Sequence, residues 1–207
     1  MRRLLPALLV AVLLLAGCTV SPSGSSSASG GSDDAASGGG RVDVDTAALR
    51  AQKRDAGVAA CRAGSGSNQL PRLTLPCLGG GKAVDLSTLR GPMVINLFAQ
   101  WCGPCRAEMP YYQRLHRKAA GTVGVLGVDY LDTQPARALA LVKQTGVTYP
   151  LVADPLGELR GPLRIRYTPS IVFLRRDGSV EVVARSVRSY AELRRLVEQE
   201  LDVRLPA

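Results

Sequence analysis

An apolar run that ends just before two closely spaced cysteines constrains the fold of this chain more than any other feature. Residues 93–99 form the run, and the motif WCGPC follows at residues 101–105. Helix-forming residues, with apolar side chains at helical spacing, begin directly after the motif. The sequence therefore predicts a buried strand that brings both cysteines to the start of a helix.

The start of a helix is a position that activates a thiol. Unpaired backbone N–H groups and the positive end of the helix dipole stabilise a thiolate there. We therefore expect Cys102 to be the exposed nucleophile and Cys105 to resolve the mixed disulfide that it forms. Such a pair needs no cofactor beyond its own redox-active disulfide. The alternative, half of a zinc site, lacks a second cysteine pair and leaves only His116 as a further ligand, so we predict no metal.

The chain begins with the features of an exported lipoprotein. Arg2 and Arg3 precede an apolar segment at 4–15, which is shorter than the about 20 residues that a membrane-spanning helix needs. The segment runs into LAGC, which resembles a bacterial lipobox. We expect residues 1–17 to be removed and Cys18 to carry the lipid that holds the protein at the membrane. An ordinary secretory signal is the alternative.

Composition divides the rest of the chain. Residues 21–40 are mostly Ser and Gly, and such a segment cannot bury enough apolar surface to offset its ordering entropy. We predict a signal peptide at 1–17, a lipid-anchored flexible linker at 18–45, an N-terminal extension at 46–69 and a folded domain at 70–207.

The net charge is +9, but the basic residues are scattered and aromatics make up only 4%. No nucleic-acid partner is therefore expected.

Two further cysteines, Cys61 and Cys77, flank a stretch rich in Gly, Ser and Pro. Disulfides are expected in an exported chain. We predict a structural disulfide between the two, worth about 3 kcal/mol in the chain-entropy model. A second redox-active pair is the alternative, which is disfavoured because neither cysteine lies at a strand-to-helix junction.

The cysteine motif and its flanks resemble the TlpA/ResA-like thiol-disulfide oxidoreductases of the thioredoxin superfamily. The resemblance covers roughly residues 70–203, and it rests on VINLFAQ before WCGPC, RAEMP after it, and YTPS at 167–170 before an apolar strand pattern. It implies a thioredoxin-like α/β fold, with a mixed central sheet, helices on both faces and an N-terminal β-hairpin.

Local patterns agree with that fold. They predict a hairpin of 73–75 with 82–86, a strand at 123–128, a helix opened by Thr133 with Pro135 and closed by Gly146, a hairpin turn at Asp177-Gly178, and a last helix opened by the capping box of Ser189 and Glu192.

The resemblance also assigns roles to residues around the cysteines. It implies that Pro169 is cis and stacks beside them, that the backbone of Thr168 pairs with the substrate polypeptide, and that Trp101 shields the site and packs against partners. Glu108 stands where ResA-type proteins have a glutamate, which implies a role in proton transfer. A surface glutamate favoured by the helix dipole is the alternative for Glu108. Asn96 replaces the buried Asp of cytoplasmic thioredoxins, and an amide cannot act as that base.

The function implied is reduction of disulfides in exported proteins, with cytochrome c maturation as one route. The protein would act as a monomer on the outer face of the bacterial cytoplasmic membrane, re-reduced by a membrane thiol-electron carrier of the CcdA/DsbD kind. The Gly-Pro dipeptide favours a potential near −270 mV over the roughly −120 mV of strong oxidants. A disulfide oxidase is the main alternative. A copper-binding metallochaperone on the same fold is another, although such proteins commonly have a wider cysteine pair and a distal His.

Overall fold

The computed structural model describes residues 41–119 and 121–206. The predicted signal peptide, Cys18 and most of the predicted linker lie outside the described residues. The helices and strands along the described chain are α1 (Ala47–Asp55), β1 (Thr74–Leu75), β2 (Val84–Asp85), β3 (Met93–Phe98), α2 (Gly103–Ala119), β4 (Gly124–Tyr130), α3 (Pro135–Thr145), β5 (Leu151–Asp154), β6 (Ser170–Leu174), β7 (Val180–Val183) and α4 (Tyr190–Leu201).

Five strands form one mixed sheet in the order β5-β4-β3-β6-β7. The neighbours β5, β4 and β3 are parallel, whereas β6 is antiparallel to both β3 and β7. The central strand β3 is buried from Val94 to Phe98, because it has paired strands on both sides and covered faces. The predicted thioredoxin-like mixed sheet is therefore confirmed.

The side chains of β3 alternate between two apolar clusters. Val94 and Phe98 belong to a cluster to which all four helices contribute buried residues. Ile95 and Leu97 belong to a second cluster, which includes the buried side chains of β1 and β2. This alternation is the period of two that a strand imposes, and it orients Asn96 toward the same face as Val94 and Phe98.

The chain makes the predicted hairpin and most of the predicted helix ends. β1 and β2 pair antiparallel, with Leu75 opposite Val84. α3 runs from Pro135 to Thr145, and Gly146 caps its end with a φ of 69°, the left-handed conformation that glycine adopts at low cost. Its N-cap is Gln134 and not the predicted Thr133, and the Gln134 side chain makes no capping hydrogen bond. α4 begins where the Ser189 hydroxyl accepts a hydrogen bond from the Glu192 amide at 3.1 Å.

Two elements had no clear signal in the sequence. β5 is one of them, and α1 is the other, because only Leu49 and Lys53 of its nine residues are buried. The helix is capped by Thr46, whose hydroxyl accepts from the Leu49 amide at 3.2 Å. Val44, at the end of the segment predicted as linker, is buried in the first apolar cluster.

Candidate active site

The cysteine motif lies at the junction between β3 and α2, as the sequence predicts. Cys102 and Cys105 form a disulfide with their Cα atoms 5.3 Å apart. The backbone N–H of Cys105, in the first turn of α2, donates to the Cys102 sulfur at 3.2 Å. Because this N–H has no carbonyl partner inside the helix, it is free to stabilise negative charge on Cys102.

Cys102 is less accessible than expected. Its side chain is only 4% exposed and that of Cys105 only 1%. The expectation of an exposed nucleophile is therefore wrong for the disulfide form, in which both sulfurs belong to the apolar cluster beneath α2. The Trp101 side chain beside them is 55% exposed and provides the large apolar surface at this end of the sheet.

A second segment contributes the residues that the resemblance assigns to substrate contact. The Thr168–Pro169 peptide bond is cis, as the resemblance implies. Pro169 is buried and Thr168 is half-buried. Thr168 and Trp101 line the same cavity of about 260 Å³, together with Tyr167 and Arg166. The structure thus brings the two predicted substrate-facing residues together.

Trp101 is fixed from the side of β4. Its indole N–H donates to the Leu131 carbonyl oxygen at 3.2 Å. The preceding amide, of Gln100, donates to the Asp132 carboxylate at 2.7 Å, and the other oxygen of Asp132 accepts from the Gln134 amide at 2.9 Å. Asp132 therefore connects the residue before the motif to the start of α3.

Glu108 is buried inside the protein. It is only 2% exposed, and its carboxylate accepts a hydrogen bond from the Val187 amide at 2.9 Å. Burial raises the pKa of Glu108 to about 7, against the hydrogen bond from Val187, which lowers it. The alternative of a surface glutamate is therefore wrong. Three residues after Cys105, Glu108 lies on the same side of α2 as that cysteine.

Two tyrosines share the interior with Glu108. Tyr112 and Tyr149 are fully buried, and burial together with the charge of Glu108 raises the pKa of both hydroxyls. Neither tyrosine was predicted from the sequence. The spacing of Tyr112, four residues after Glu108, was the one available signal, whereas Tyr149 comes close only through the fold.

Asp129 is a second buried acid that was not predicted from the sequence. It lies in β4, opposite Phe98 in the sheet register, and is 1% exposed. Burial is the main cause that raises its pKa well above the ordinary value, and the nearby Asp132 adds to the shift. Its position within an apolar strand pattern was the signal for a buried carboxyl.

The second predicted disulfide is also formed. Cys61 and Cys77 are bonded with their Cα atoms 6.0 Å apart, and both side chains are buried. Cys77 makes an isolated antiparallel bridge with Val152 of β5, so the disulfide connects the N-terminal extension to the edge of the sheet.

His116 is half-buried, with its ring edge-on to Tyr149 at 5.9 Å between centroids, and burial lowers its pKa. Among residues 41–119 and 121–206, no three His, Cys, Asp or Glu side chains are grouped so that they could hold a metal ion. None of the described helices has the length and apolar character needed to cross a membrane.

Comparison with known proteins gives a consistent family and fold. The model of the AhpC/TSA family matches residues 67–183, more than half of the chain. A relative named thiol-disulfide oxidoreductase ResA, from Oceanobacillus iheyensis, is 32% identical over 105 residues, covering 49% of this chain and 54% of the relative. The chain thus spans little more than half of the length of this curated relative.

Solved structures extend the likeness over a larger share of the chain than this relative covers. Mycobacterium tuberculosis DsbF, solved in mixed oxidised and reduced forms, is 27% identical with a TM-score of 0.57, covering 63% of this chain and 96% of that one. A secreted thiol-disulfide isomerase from Corynebacterium glutamicum is 26% identical with a TM-score of 0.56, covering 65% and 86%. Both likenesses support the thioredoxin-like fold.

Proposed function

The chain belongs to the AhpC/TSA family, and from that premise we propose that it is an extracytoplasmic thiol-disulfide oxidoreductase that reduces disulfides of exported proteins. The observation that carries the proposal is the Cys105 amide directed at the Cys102 sulfur, 3.2 Å away, at the start of α2. This donor favours the thiolate form of Cys102 over the thiol, and the thiolate is the form that attacks disulfides.

The exchange proceeds in two steps. The Cys102 thiolate attacks one sulfur of the substrate disulfide, a mixed disulfide forms, and the other substrate sulfur leaves as a thiolate. Cys105 then attacks the Cys102 sulfur and releases the second substrate thiol. The two electrons come from the cysteine pair, which ends as the Cys102–Cys105 disulfide.

Cys105 must lose its proton before it can attack, and Glu108 supports that step. With a pKa of about 7, its carboxyl group is divided between the acid and the carboxylate at neutral pH. A group with that pKa both accepts and returns a proton with little cost. We assign Glu108 as a positioning and proton-holding residue near Cys105, in the apolar interior that also holds Tyr112.

The substrate lies across the cavity between Trp101 and the segment that ends at Pro169. Trp101 is 55% exposed and Tyr167 is 58% exposed, which is unusual for large apolar side chains and typical of a contact surface. Arg160 and Arg166 line the same cavity, so acidic residues near the substrate disulfide would strengthen binding. An extended polypeptide fits this arrangement, with the backbone of Thr168 as its pairing partner.

Location and electron supply belong to the same proposal. Lipidation of Cys18 would hold the protein on the outer face of the cytoplasmic membrane, and the related Corynebacterium isomerase is described as secreted. A membrane thiol-electron carrier of the CcdA/DsbD kind would return electrons to the pair after each turnover. Cytochrome c maturation is one route that would need such a reductase.

Disulfide reduction of insulin tests the activity. We expect the full chain to catalyse reduction by a dithiol donor, Cys102→Ser to abolish catalysis, and a variant with Ser at both 61 and 77 to retain it. Activity that survives Cys102→Ser would contradict the proposal, because the proposed exchange begins with the attack of the Cys102 thiolate on the substrate disulfide.

The direction of the reaction needs a separate measurement in cells. Acid quenching and thiol alkylation report the redox state of Cys102 and Cys105 during growth. A mainly reduced pair is expected for a reductase supplied with electrons, whereas a mainly oxidised pair would favour the oxidase alternative.

A further inference from the structure

Lys53 is a buried cation in direct contact with the second disulfide. Its side chain leaves α1 and is only 7% exposed. The ammonium Nζ lies 2.9 Å from the Cys77 sulfur and donates to the Gly80 carbonyl oxygen at 2.7 Å. Burial lowers the pKa of Lys53, as it does for any cation taken out of water. A lysine in such a place costs stability unless it has a partner.

The surroundings of Lys53 are closely built. The turn at Gly79–Gly81 packs over the side chain, and a Cβ added to Gly79 would come within 2.8 Å of the Lys53 Cβ. A Cβ added to Gly81 would lie 3.6 Å from the Cys77 sulfur. Both glycines have positive φ, which other residues rarely adopt. The cation is thus held against the sulfur by the backbone.

No carboxylate forms an ion pair with Lys53 among the residues that the structure describes. The carboxylate that acts on it at longer range, Asp45, makes its own ion pair with Arg50 at 2.6 Å. In the disulfide form, Lys53 therefore faces a neutral sulfur, which is a weak acceptor. Reduction would turn that sulfur into a thiolate and give the ammonium a counter-ion.

The Cys61 sulfur is placed to receive the attack of an incoming thiolate. Cys61 lines a cavity of about 490 Å³ that Cys77 does not line, and Arg62 at the cavity wall attracts an anionic thiolate. The Cys61 sulfur lies 3.1 Å from the Leu151 carbonyl oxygen, which is placed to accept from a Cys61 thiol. An incoming thiolate would thus reach Cys61, with Cys77 as the leaving group beside the ammonium.

We propose that Cys61–Cys77 is a second redox-active disulfide, whose reduction releases Cys77 as a thiolate paired with Lys53. A protein or small-molecule dithiol is the reductant. One of its thiolates attacks the Cys61 sulfur, the S–S bond to Cys77 breaks, and the second thiolate of the reductant then displaces Cys61. The reductant becomes a disulfide, one proton stays on Cys61 and the other goes to solvent. A leaving thiolate that is stabilised leaves faster.

The test isolates this couple from the one at residues 102 and 105. A chain with Cys102→Ser and Cys105→Ser is equilibrated with mixtures of reduced and oxidised dithiothreitol in native buffer, and free thiols are counted by alkylation and mass spectrometry. We expect Cys61 and Cys77 to equilibrate while the protein stays folded. Adding Lys53→Met should raise the ratio of reduced to oxidised reagent needed at the midpoint by tenfold or more.

Two further variants make the result decisive. Lys53→Arg keeps a cation and should restore most of the midpoint, while Lys143→Met, which removes an exposed lysine from α3, should leave it unchanged. A pair that stays oxidised until the chain unfolds would overturn the proposal, and so would an unchanged midpoint in Lys53→Met. If that variant does not fold, trapping decides, because the first adduct of a monothiol must form on Cys61 and not on Cys77. These outcomes are independent of activity at Cys102.

Discussion

The two disulfides of this protein differ in what is placed beside the sulfur. At Cys102 it is a backbone N–H of the first turn of α2, 3.2 Å away, and at Cys77 it is the ammonium of Lys53, 2.9 Å away. The first pair is separated by three positions in the sequence and the second by 16. A short-range motif therefore predicts its own electrostatics, whereas the environment of the second pair depends on a helix that is distant in sequence.

The two disulfides should differ most in their effect on catalysis. In the proposed mechanism only Cys105 can resolve a mixed disulfide on Cys102, so Cys105→Ser should stop turnover and accumulate the covalent complex with substrate. Mass spectrometry of the quenched reaction measures that complex. The control is the variant with Ser at both 61 and 77, which should turn over without trapping. Rapid turnover by Cys105→Ser would mean that substrate thiols resolve the intermediate unaided.

The Cys61–Cys77 disulfide should contribute more to stability than the Cys102–Cys105 disulfide. Replacing both Cys61 and Cys77 by Ser should lower the free energy of unfolding by about 3 kcal/mol, because the loop that they close is the longer one. The same change at 102 and 105 should cost about 2 kcal/mol in the same chain-entropy model. Urea denaturation of the oxidised proteins measures both. A larger loss at 102 and 105 would show that native packing, and not loop length, governs the difference.

Much of the structure around the Cys102–Cys105 pair could be predicted, because its signals in the sequence are local. The apolar run of β3, the motif and the Ser189 cap are contiguous patterns, and each lies where the sequence indicates. The expected exposure of Cys102 was wrong, because a motif gives no information about how deeply the start of the helix is buried.

Most of the missed features need tertiary information. Lys53 looks like an ordinary surface lysine of a polar helix until the turn at Gly79–Gly81 covers it. Tyr149 meets the neighbourhood of Glu108 only because β5 lies next to β4 in the sheet. Asp129 is distinguished by burial, which depends on the packing of the helices over β4.

Glu108 should make the stability of the folded protein depend on pH. Its pKa of about 7 in the folded protein exceeds the ordinary value of 4.5. Between these values the unfolded chain ionises Glu108 while the folded protein keeps it protonated, so stability falls as pH rises through this window. Glu108→Gln keeps an acceptor for the Val187 amide and should remove that fall, worth about 2 kcal/mol after allowance for partial screening.

Urea titrations at several pH values measure the effect of Glu108. The difference in unfolding free energy between wild type and Glu108→Gln should change between pH 4.5 and 7 and level off above. Glu181→Gln, at an exposed position of β7, is the control and should run parallel to wild type. A constant difference for Glu108→Gln would return the carboxyl group to an ordinary pKa and remove its proposed part in proton transfer.

The smallest expected effect concerns the helix that holds Lys53. α1 has nine residues, against 17 for α2, and helices shorter than about 12–15 residues are marginal without packing and caps. Thr46→Ala removes the cap and should cost about 1 kcal/mol, with faster amide exchange in α1. Ser189→Ala removes the equivalent cap of α4 and should cost a similar amount without that exchange signature. The dithiol midpoint of Cys61 and Cys77 shows what positions the ammonium of Lys53. A shift in Thr46→Ala in the same direction as in Lys53→Met, with no shift in Ser189→Ala, would mean that the helix positions it. An unmoved midpoint with a frayed α1 would mean that the glycine turn alone holds Lys53 against the sulfur.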